Sequence, residues 1–413
     1  MEFVNRQEEL KTLEEYKHFS KSRLFSLVIY GQRRIGKTTL VKHFCNNKEH
    51  IYFFVYEHKS QKALLDEFEE ELKRNKIIEP YSKIQNWDDF VEILFDKCKN
   101  KIIIFDEFQN FRQVNPAIYS VLQKKFDENK DNPIFFIFLS SVIGLIKTVF
   151  EDMKAPLYGR IKAKIKLDAM DYSNARKMMK ALRYTKEEDF IEFYSLFGGI
   201  PKYYTAIEDF NLEKKPLLDV IEYFFLKQNA PFDYEILDIL RQEFGGKKST
   251  YYTILEAIAT GHTKLNEIST YIGMNMTSIA RYIDDLIFYY EFIERICPIT
   301  ENPKNSKRTI YRLKNPVMNF WFRYIHRHLT LFEGKNYKYI KEEISKDKNN
   351  FIGRATETIV TQYLRQLNKK NKLPLDFTHI GNWWHKDKEI DIVAFNSNAN
   401  KIMFCEVKYR NKK

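Results

Sequence analysis

Short unbroken apolar runs alternate with amphipathic stretches through the first 167 residues. Phe25 to Tyr30, Ile51 to Tyr56, Lys101 to Phe105 and Pro133 to Leu139 are short and lack the in–out alternation of a half-exposed strand. Such runs predict strands buried on both faces, as in a parallel sheet covered by helices. Thr39 to Asn46, Gln61 to Lys73 and Asp88 to Lys99 read as the intervening helices. The alternation of strand and helix predicts an α/β fold over residues 1–167. The longest apolar stretch, Ile134 to Ile146, is broken by Ser140 and Ser141 and falls short of the roughly 20 residues a membrane span needs. It predicts a buried strand running into a helix, and no membrane partner.

Beyond residue 168 the pattern changes to helical spacing. Phe190, Phe193, Tyr194 and Phe197 form an apolar stripe within a packed helical unit over 168–244. Three compact helices follow, Tyr251 to Thr260, Leu265 to Ile272 and Met276 to Tyr290, separated by short turns at Gly261-His262 and Gly273-Met-Asn. Phe292 to Pro298 and Thr309 to Leu313 read as two strands flanking the basic tip of Lys304, Lys307 and Arg308. Over 245–330 this is the outline of a winged helix. Arg281 and the tip cations would meet phosphates, with Ser278 or Asn275 near base edges. Acids at Asp284, Asp285 and Glu291 on the same helix point instead to protein-binding or internal packing, so both uses stay open. Residues 331–413 read as a small α+β unit.

The chemistry begins where the first strand ends. Gly31-Gln32-Arg33-Arg34-Ile35-Gly36-Lys37-Thr38 joins a strand to a helix whose first turn includes Thr39, the order of a triphosphate-binding loop. Glycines let backbone N–H groups turn inward, and the helix N-terminus adds positive potential. Lys37 is expected to reach the β- and γ-phosphates and Thr38 to ligate Mg²⁺. Asp106 and Glu107 end the third strand: Asp106 is expected to hold the Mg²⁺ shell and Glu107 to act as general base toward water. Ser140 and Ser141 would sense the γ-phosphate or cap the next helix. Arg160, delivered by a turn, would serve as an arginine finger in the same chain or a neighbour, or is a surface arginine.

Composition narrows the setting. Aromatic content is 15%, with 13 Gly and 11 Pro in 413 residues, which favours packed helices over long linkers. The formal net charge of +12 fits an anionic partner such as DNA, although Lys and Glu are interspersed. The 4 cysteines lie far apart and suit neither a zinc site nor a disulfide framework. With no signal-like order of charge then apolar run at Met1 to Arg6, a cytoplasmic location is expected.

The segments Phe3-Val-Asn-Arg6-Gln-Glu-Glu-Leu10, Gly31 to Thr38 (a Walker A motif), Phe-Asp106-Glu107-Phe-Gln109 (a Walker B motif), Leu-Ser140-Ser141 and Pro-Leu-Tyr-Gly-Arg160 together resemble the archaeal-type P-loop ATPases, relatives of the AAA+ and STAND groups. The resemblance implies ATP as the nucleotide and an additional strand between the phosphate-loop and acidic strands. It extends to Gly198-Gly199-Ile200-Pro201, similar to a Gly-Gly-x-Pro element of the family's helical lid, which implies that Gly199 and Pro201 report nucleotide state. Read on its own, that segment is a helix stop and turn. Leu313 to Tyr324 is similar to the family's winged-helix segment.

In the C-terminal region Glu357 falls in the helical Gly353 to Leu367, Asp391 in the strand Ile390 to Phe395, and Glu406 and Lys408 in the run Lys401 to Tyr409. Two residues apart on a strand, Glu406 and Lys408 would share a face and be joined by Asp391. This resembles a restriction-endonuclease-like site. The chain runs only five residues past Lys408, so the sheet is expected to lack the elements that complete that fold. The sequence thus predicts an ATPase using Mg²⁺, whose nucleotide state is passed to C-terminal modules. The alternatives are an ATP-regulated DNA nuclease and a non-hydrolysing nucleotide switch in protein assembly, through self-association or another protein.

Overall fold

The computed structural model describes residues 3–244, 249–303, 305–398 and 400–409. The chain divides between Asp168 and Ala169 into two units.

In the first unit, α1 (Gln7–Phe19) precedes β1 (Phe25–Tyr30), α2 (Lys37–Cys45), β2 (His50–Phe54), α3 (Gln61–Arg74) and α4 (Trp87–Lys97). Then come β3 (Ile102–Asp106), a 3-10 turn at Phe108–Asn110, α5 (Phe111–Val114), α6 (Ile118–Glu128), β4 (Phe135–Ser140), α7 (Ile143–Ile146) and β5 (Ala163–Lys166). The strands form one parallel sheet in the order β2-β3-β4-β1-β5. The extra strand β4 therefore separates the phosphate-loop strand β1 from the acidic strand β3. The four strands expected from the apolar runs all form. The edge strand β5 was not anticipated, because Ala163-Lys-Ile-Lys alternates with charged residues facing out.

The apolar runs serve two cores at once. Ile103, Phe105, Phe136 and Phe138 join an aromatic cluster with Phe53, Phe68 and Phe90. Their neighbours Ile102, Ile104, Phe135, Ile137 and Leu139 face the other side, against Leu40, Val41 and Phe44 of α2. This two-sided burial is why the runs do not alternate. In register, Tyr30 pairs with Ser140 and Phe54 with Asp106, so β1, β3 and β4 present their carboxyl ends along one edge. That edge is where open α/β sheets hold ligands.

The second unit begins with α8 (Tyr172–Ala181), α9 (Glu187–Phe197), α10 (Pro201–Asp209), α11 (Leu217–Phe225) and α12 (Glu235–Phe244). Next are α13 (Ser249–Ala259), α14 (Leu265–Ile272) and α15 (Met276–Asp284), followed by the antiparallel pair β6 (Ile293–Ile296) and β7 (Ile310–Leu313). Asn275 caps α15, its side chain accepting from the Ser278 N–H at 2.8 Å. After α16 (Pro316–Phe320) and α17 (Leu329–Glu333), the long α18 spans Tyr337–Lys369. It carries the expected helix around Glu357 and extends well before it. β8 (His379–His385), β9 (Lys388–Asn396) and β10 (Lys401–Cys405) form an antiparallel sheet in the order β10-β9-β8. Leu364 of α18 packs with Phe377, Ile392 and Ala394 in a small core beneath it. Among the described residues no helix is long and apolar enough to cross a membrane.

Candidate active site

Gly31 leaves β1 with φ 152°, and a Cβ there would stand 2.2 Å from the Leu167 carbonyl oxygen. Only glycine fits that approach. Arg34 (φ 72°) and Gly36 (φ 92°) supply the left-handed turns that bring the chain into α2. Gln32, Arg33 and Arg34 are half-buried, Ile35 is buried and Thr39 is exposed. Lys37, Thr38 and Thr39 form the first turn of α2, where helix N–H groups lack intrahelical partners. The Lys37 side chain is buried, its ammonium donating to the carbonyls of Gly31 at 2.8 Å and Gln32 at 2.9 Å. Those carbonyls take contacts that phosphate oxygens would take in a loaded loop.

Opposite the loop lies a carboxylate network. The Thr38 hydroxyl donates to Asp106 Oδ2 at 2.7 Å, and the Tyr52 phenol donates to the same oxygen at 2.6 Å. The Glu107 N–H donates to Asp106 Oδ1 at 2.8 Å. Glu107 itself has φ 53° and turns its side chain to Ser141, whose hydroxyl donates to Oε1 at 2.6 Å, and to Gln109, whose amide donates to Oε2. Ser140 instead bonds the Val142 carbonyl at 3.3 Å. The Thr38 hydroxyl and the Asp106 carboxylate are hard oxygen donors side by side, so they fit Mg²⁺.

Arg160 corrects the expectation of a finger on this chain's own loop. Its carbonyl accepts from the Ser26 hydroxyl at 2.6 Å, and its guanidinium pairs with Asp127 at 2.8 Å. Ser26 lies at the entry of β1, about 16 Å of extended chain before Gly31. Arg160 thus stands at the amino ends of the strands, away from the phosphate loop.

Gly199 and Pro201 belong to the second unit and have packing roles there. A Cβ on Gly199 would lie 1.7 Å from the Met170 carbonyl oxygen, and the Met170 N–H donates to the Gly199 carbonyl at 2.8 Å. Pro201 opens α10, where its missing N–H costs nothing.

On the β6–β7 hairpin, the expected phosphate contact of Arg308 is corrected. Its guanidinium pairs with Glu301 and donates to the Trp384 carbonyl at 3.1 Å, so the charge is committed inside the unit. Lys307 and Arg281 are exposed. Lys304 lies outside the described residues.

The C-terminal acids are partly gathered. Asn382 Nδ2 donates to Glu357 Oε2 at 3.2 Å and to the Asp391 carbonyl at 2.6 Å. Burial pushes the Glu357 carboxyl above its ordinary range, and Asp391 and Glu389 add to it against the opposing Arg312. β10 stops at Cys405, so Glu406 and Lys408 follow the strand rather than lie on it. The physical reason is local: Asp391 Oδ2 accepts the Val407 N–H at 2.6 Å, replacing the next rung of the ladder. Glu406 and Lys408 still pair, at 2.6 Å. Among the described residues no group of three His, Cys, Asp or Glu is arranged to hold a metal ion.

Residues 3–207 match a family described as an ATPase domain predominantly from Archaea. An uncharacterized protein of Methanocaldococcus jannaschii is 35% identical over 412 residues, spanning 100% of this chain and 88% of that protein. The chain belongs to the archaeal P-loop ATPase family. Residues 321–413 match a second family, described as archaeal and bacterial proteins of unknown function. An uncharacterized ATP-binding protein of the same organism is 21% identical over 349 residues, 75% of this chain and 86% of that protein. Among solved structures, a Walker-type ATPase of Pyrococcus abyssi aligns with TM-score 0.57 and 20% identity over 78% of this chain and 96% of that one. The ORC2 protein of Aeropyrum pernix aligns with TM-score 0.54 and 14% identity over 83% and 96%. Those two likenesses concern the fold.

Three residues of this P-loop ATPase's site escaped the sequence reading as functional groups: Tyr52, Gln109 and Arg6. Tyr52 lies in an apolar strand and looks like core. Gln109 was visible only as the end of an acidic motif. Arg6 is buried, with φ 71°, and donates to the Asp168 carbonyl at 2.6 Å and the Ile35 carbonyl at 3.4 Å while pairing with Glu9 at 2.9 Å. It ties the phosphate loop to the chain leaving β5. The signals were its place just ahead of an amphipathic helix and within the Phe3 to Leu10 segment of the family resemblance.

Proposed function

We propose that this protein binds ATP in the Gly31 to Thr38 loop and hydrolyses it with Mg²⁺. The observation that carries this reading is the pairing of the two motifs: a buried Lys37 ammonium that donates to loop carbonyls, beside a Thr38–Asp106 contact of 2.7 Å. On ATP binding the ammonium exchanges those carbonyls for phosphate oxygens, and first-turn N–H groups of α2 receive others. Thr38 and Asp106 would hold Mg²⁺, which supplies charge neutralisation at the phosphates when bound. Glu107 accepts a proton from the attacking water, and Ser141 fixes the Glu107 carboxylate. Gly199 and Pro201 of the second unit would, by family likeness, report nucleotide state. That unit's three helices and hairpin form a winged-helix-like module, and α18 with β8 to β10 a nuclease-like one.

Phosphate release by the unaltered protein, with Lys37→Ala and Glu107→Gln alongside, tests this. Steady-state turnover lost in both, with ATP binding and a slow residual single turnover kept only by Glu107→Gln, is the expected result. Absence of turnover in the unaltered protein, with binding intact, supports the non-hydrolysing switch instead.

A second reading, Mg²⁺-dependent cleavage of DNA by the C-terminal module, is favoured by one observation. Asn382 bridges the Glu357 carboxylate and the Asp391 main-chain carbonyl, and the raised Glu357 carboxyl, pushed up by burial and by Asp391 and Glu389, lies in a setting that a cation would relieve. Plasmid nicking with Mg²⁺ or Mn²⁺, compared with Asp391→Ala and Lys408→Ala, tests it. Equal nicking by all three proteins sinks it.

A further inference from the structure

The Glu107 carboxylate is held at both oxygens, by the Ser141 hydroxyl at 2.6 Å and by the Gln109 Nε2. The Nε2 end faces Glu107, where it donates to a carboxylate oxygen, so Oε1 faces elsewhere. Gln109 is 3% exposed, and its Oε1 has no hydrogen-bond partner among the described residues. Leaving a buried carboxamide oxygen without a donor is unfavourable. The orphaned oxygen sits on the same side chain that holds the candidate general base.

We propose that Gln109 is a positioning residue for hydrolysis: its Nε2 fixes the Glu107 carboxylate in the orientation that takes a proton from the attacking water. This rests on the reading of Glu107 as general base. In the step, the water gives a proton to a Glu107 oxygen, and its own oxygen forms the new bond to the γ-phosphorus. The bond from that phosphorus to the β–γ bridging oxygen breaks, and its electron pair leaves with ADP. Gln109 neither gives nor takes a proton. It sets the direction from which Glu107 takes the proton, a contribution of the kind that positioning supplies.

The test uses the full chain. Gln109→Met keeps the buried volume and removes both donor and acceptor, and Gln109→Asn keeps the amide but shortens its reach. For Gln109→Met the expected result is a kcat lowered about 100-fold with KM, ATP affinity and Tm within about 2-fold or 2 °C of the unaltered protein. Gln109→Asn should recover part of that loss. In single-turnover reactions on a Glu107→Gln background, adding Gln109→Met should cost less than about 3-fold more, because the group it positions is already gone. A kcat kept by Gln109→Met while the unaltered protein turns over overturns this proposal alone. So does an undiminished loss on the Glu107→Gln background, or a fall in kcat accompanied by raised KM and lowered Tm, which marks a structural role. An unaltered protein that releases no phosphate overturns the ATPase reading as well.

Discussion

The phenol of Tyr52 and the hydroxyl of Thr38 donate to one oxygen of Asp106, at 2.6 and 2.7 Å. Burial and the adjacent carboxylate push the Tyr52 phenol well above its ordinary range, so it remains a donor at working pH. Tyr52 stands behind the proposed metal ligand and holds its rotamer. Tyr52→Phe should therefore raise the Mg²⁺ concentration for half-maximal turnover about 10-fold, the usual effect of losing a group that orients a ligand. Affinity for ATP without metal should not change. A Mg²⁺ titration with an unshifted midpoint would remove Tyr52 from the account.

Backbone contact dictates glycine at two positions. Gly199→Ala drives a Cβ to 1.7 Å from the Met170 carbonyl oxygen, a backbone atom with nowhere to go. We expect a loss of about 3 kcal/mol or more in chemical denaturation. Gly31→Ala meets the Leu167 carbonyl at 2.2 Å and should lower both Tm and ATP affinity. Gly353→Ala in α18 is the control: nothing lies within 4 Å of its Cβ, and alanine there should be neutral or stabilising by up to about 1 kcal/mol.

How much of this was legible follows the physics of each signal. The four buried strands could be read because burial on both faces leaves uninterrupted apolar runs. The phosphate loop and the acidic pair could be read because their residue types and order are fixed by ligand chemistry. Tyr52 could not be read, since a tyrosine in a strand packs its ring and shows its hydroxyl role only once β2 and β3 are in register. The reach of Arg160 stayed open for a related reason: a turn delivering an arginine does not say which end of the sheet it reaches. Glu406 and Lys408 kept their pairing although the strand assumed to create it ends at Cys405, because the Asp391 side chain takes over from the backbone ladder.

Glu69 gives a pH-dependent test of the first unit. It is buried on α3, and the desolvation that would raise its carboxyl is outweighed by donors from Lys73, the Ile84 N–H and Lys83, which pull it down to about 2. A depressed folded value means that its stabilisation is present above the ordinary value of 4.5 and is lost as pH falls toward 2. Glu69→Gln should therefore be less stable than the unaltered protein at pH 7. The difference should shrink between pH 4.5 and 2. Denaturation curves whose difference is constant across that window would contradict the assignment.

The hairpin cations separate packing from recognition. Arg308 is spent on Glu301 and the Trp384 carbonyl, so Arg308→Ala should cost about 2 kcal/mol of stability with no specific effect on affinity for DNA. Arg281 is exposed at the end of the helix that would enter a groove. If the module meets DNA, Arg281→Ala should reduce the slope of log affinity against log salt by about 1. An unchanged slope would assign the module to protein contacts.

The central claim concerns one ammonium group and the loop around it, and calorimetry with ATP and Mg²⁺ tests it most directly. The account predicts saturable one-site binding to the unaltered protein and affinity lowered about 100-fold in Lys37→Ala, whose charge-assisted contacts are lost. No heat of association with the unaltered protein, or equal affinity in Lys37→Ala, would contradict it.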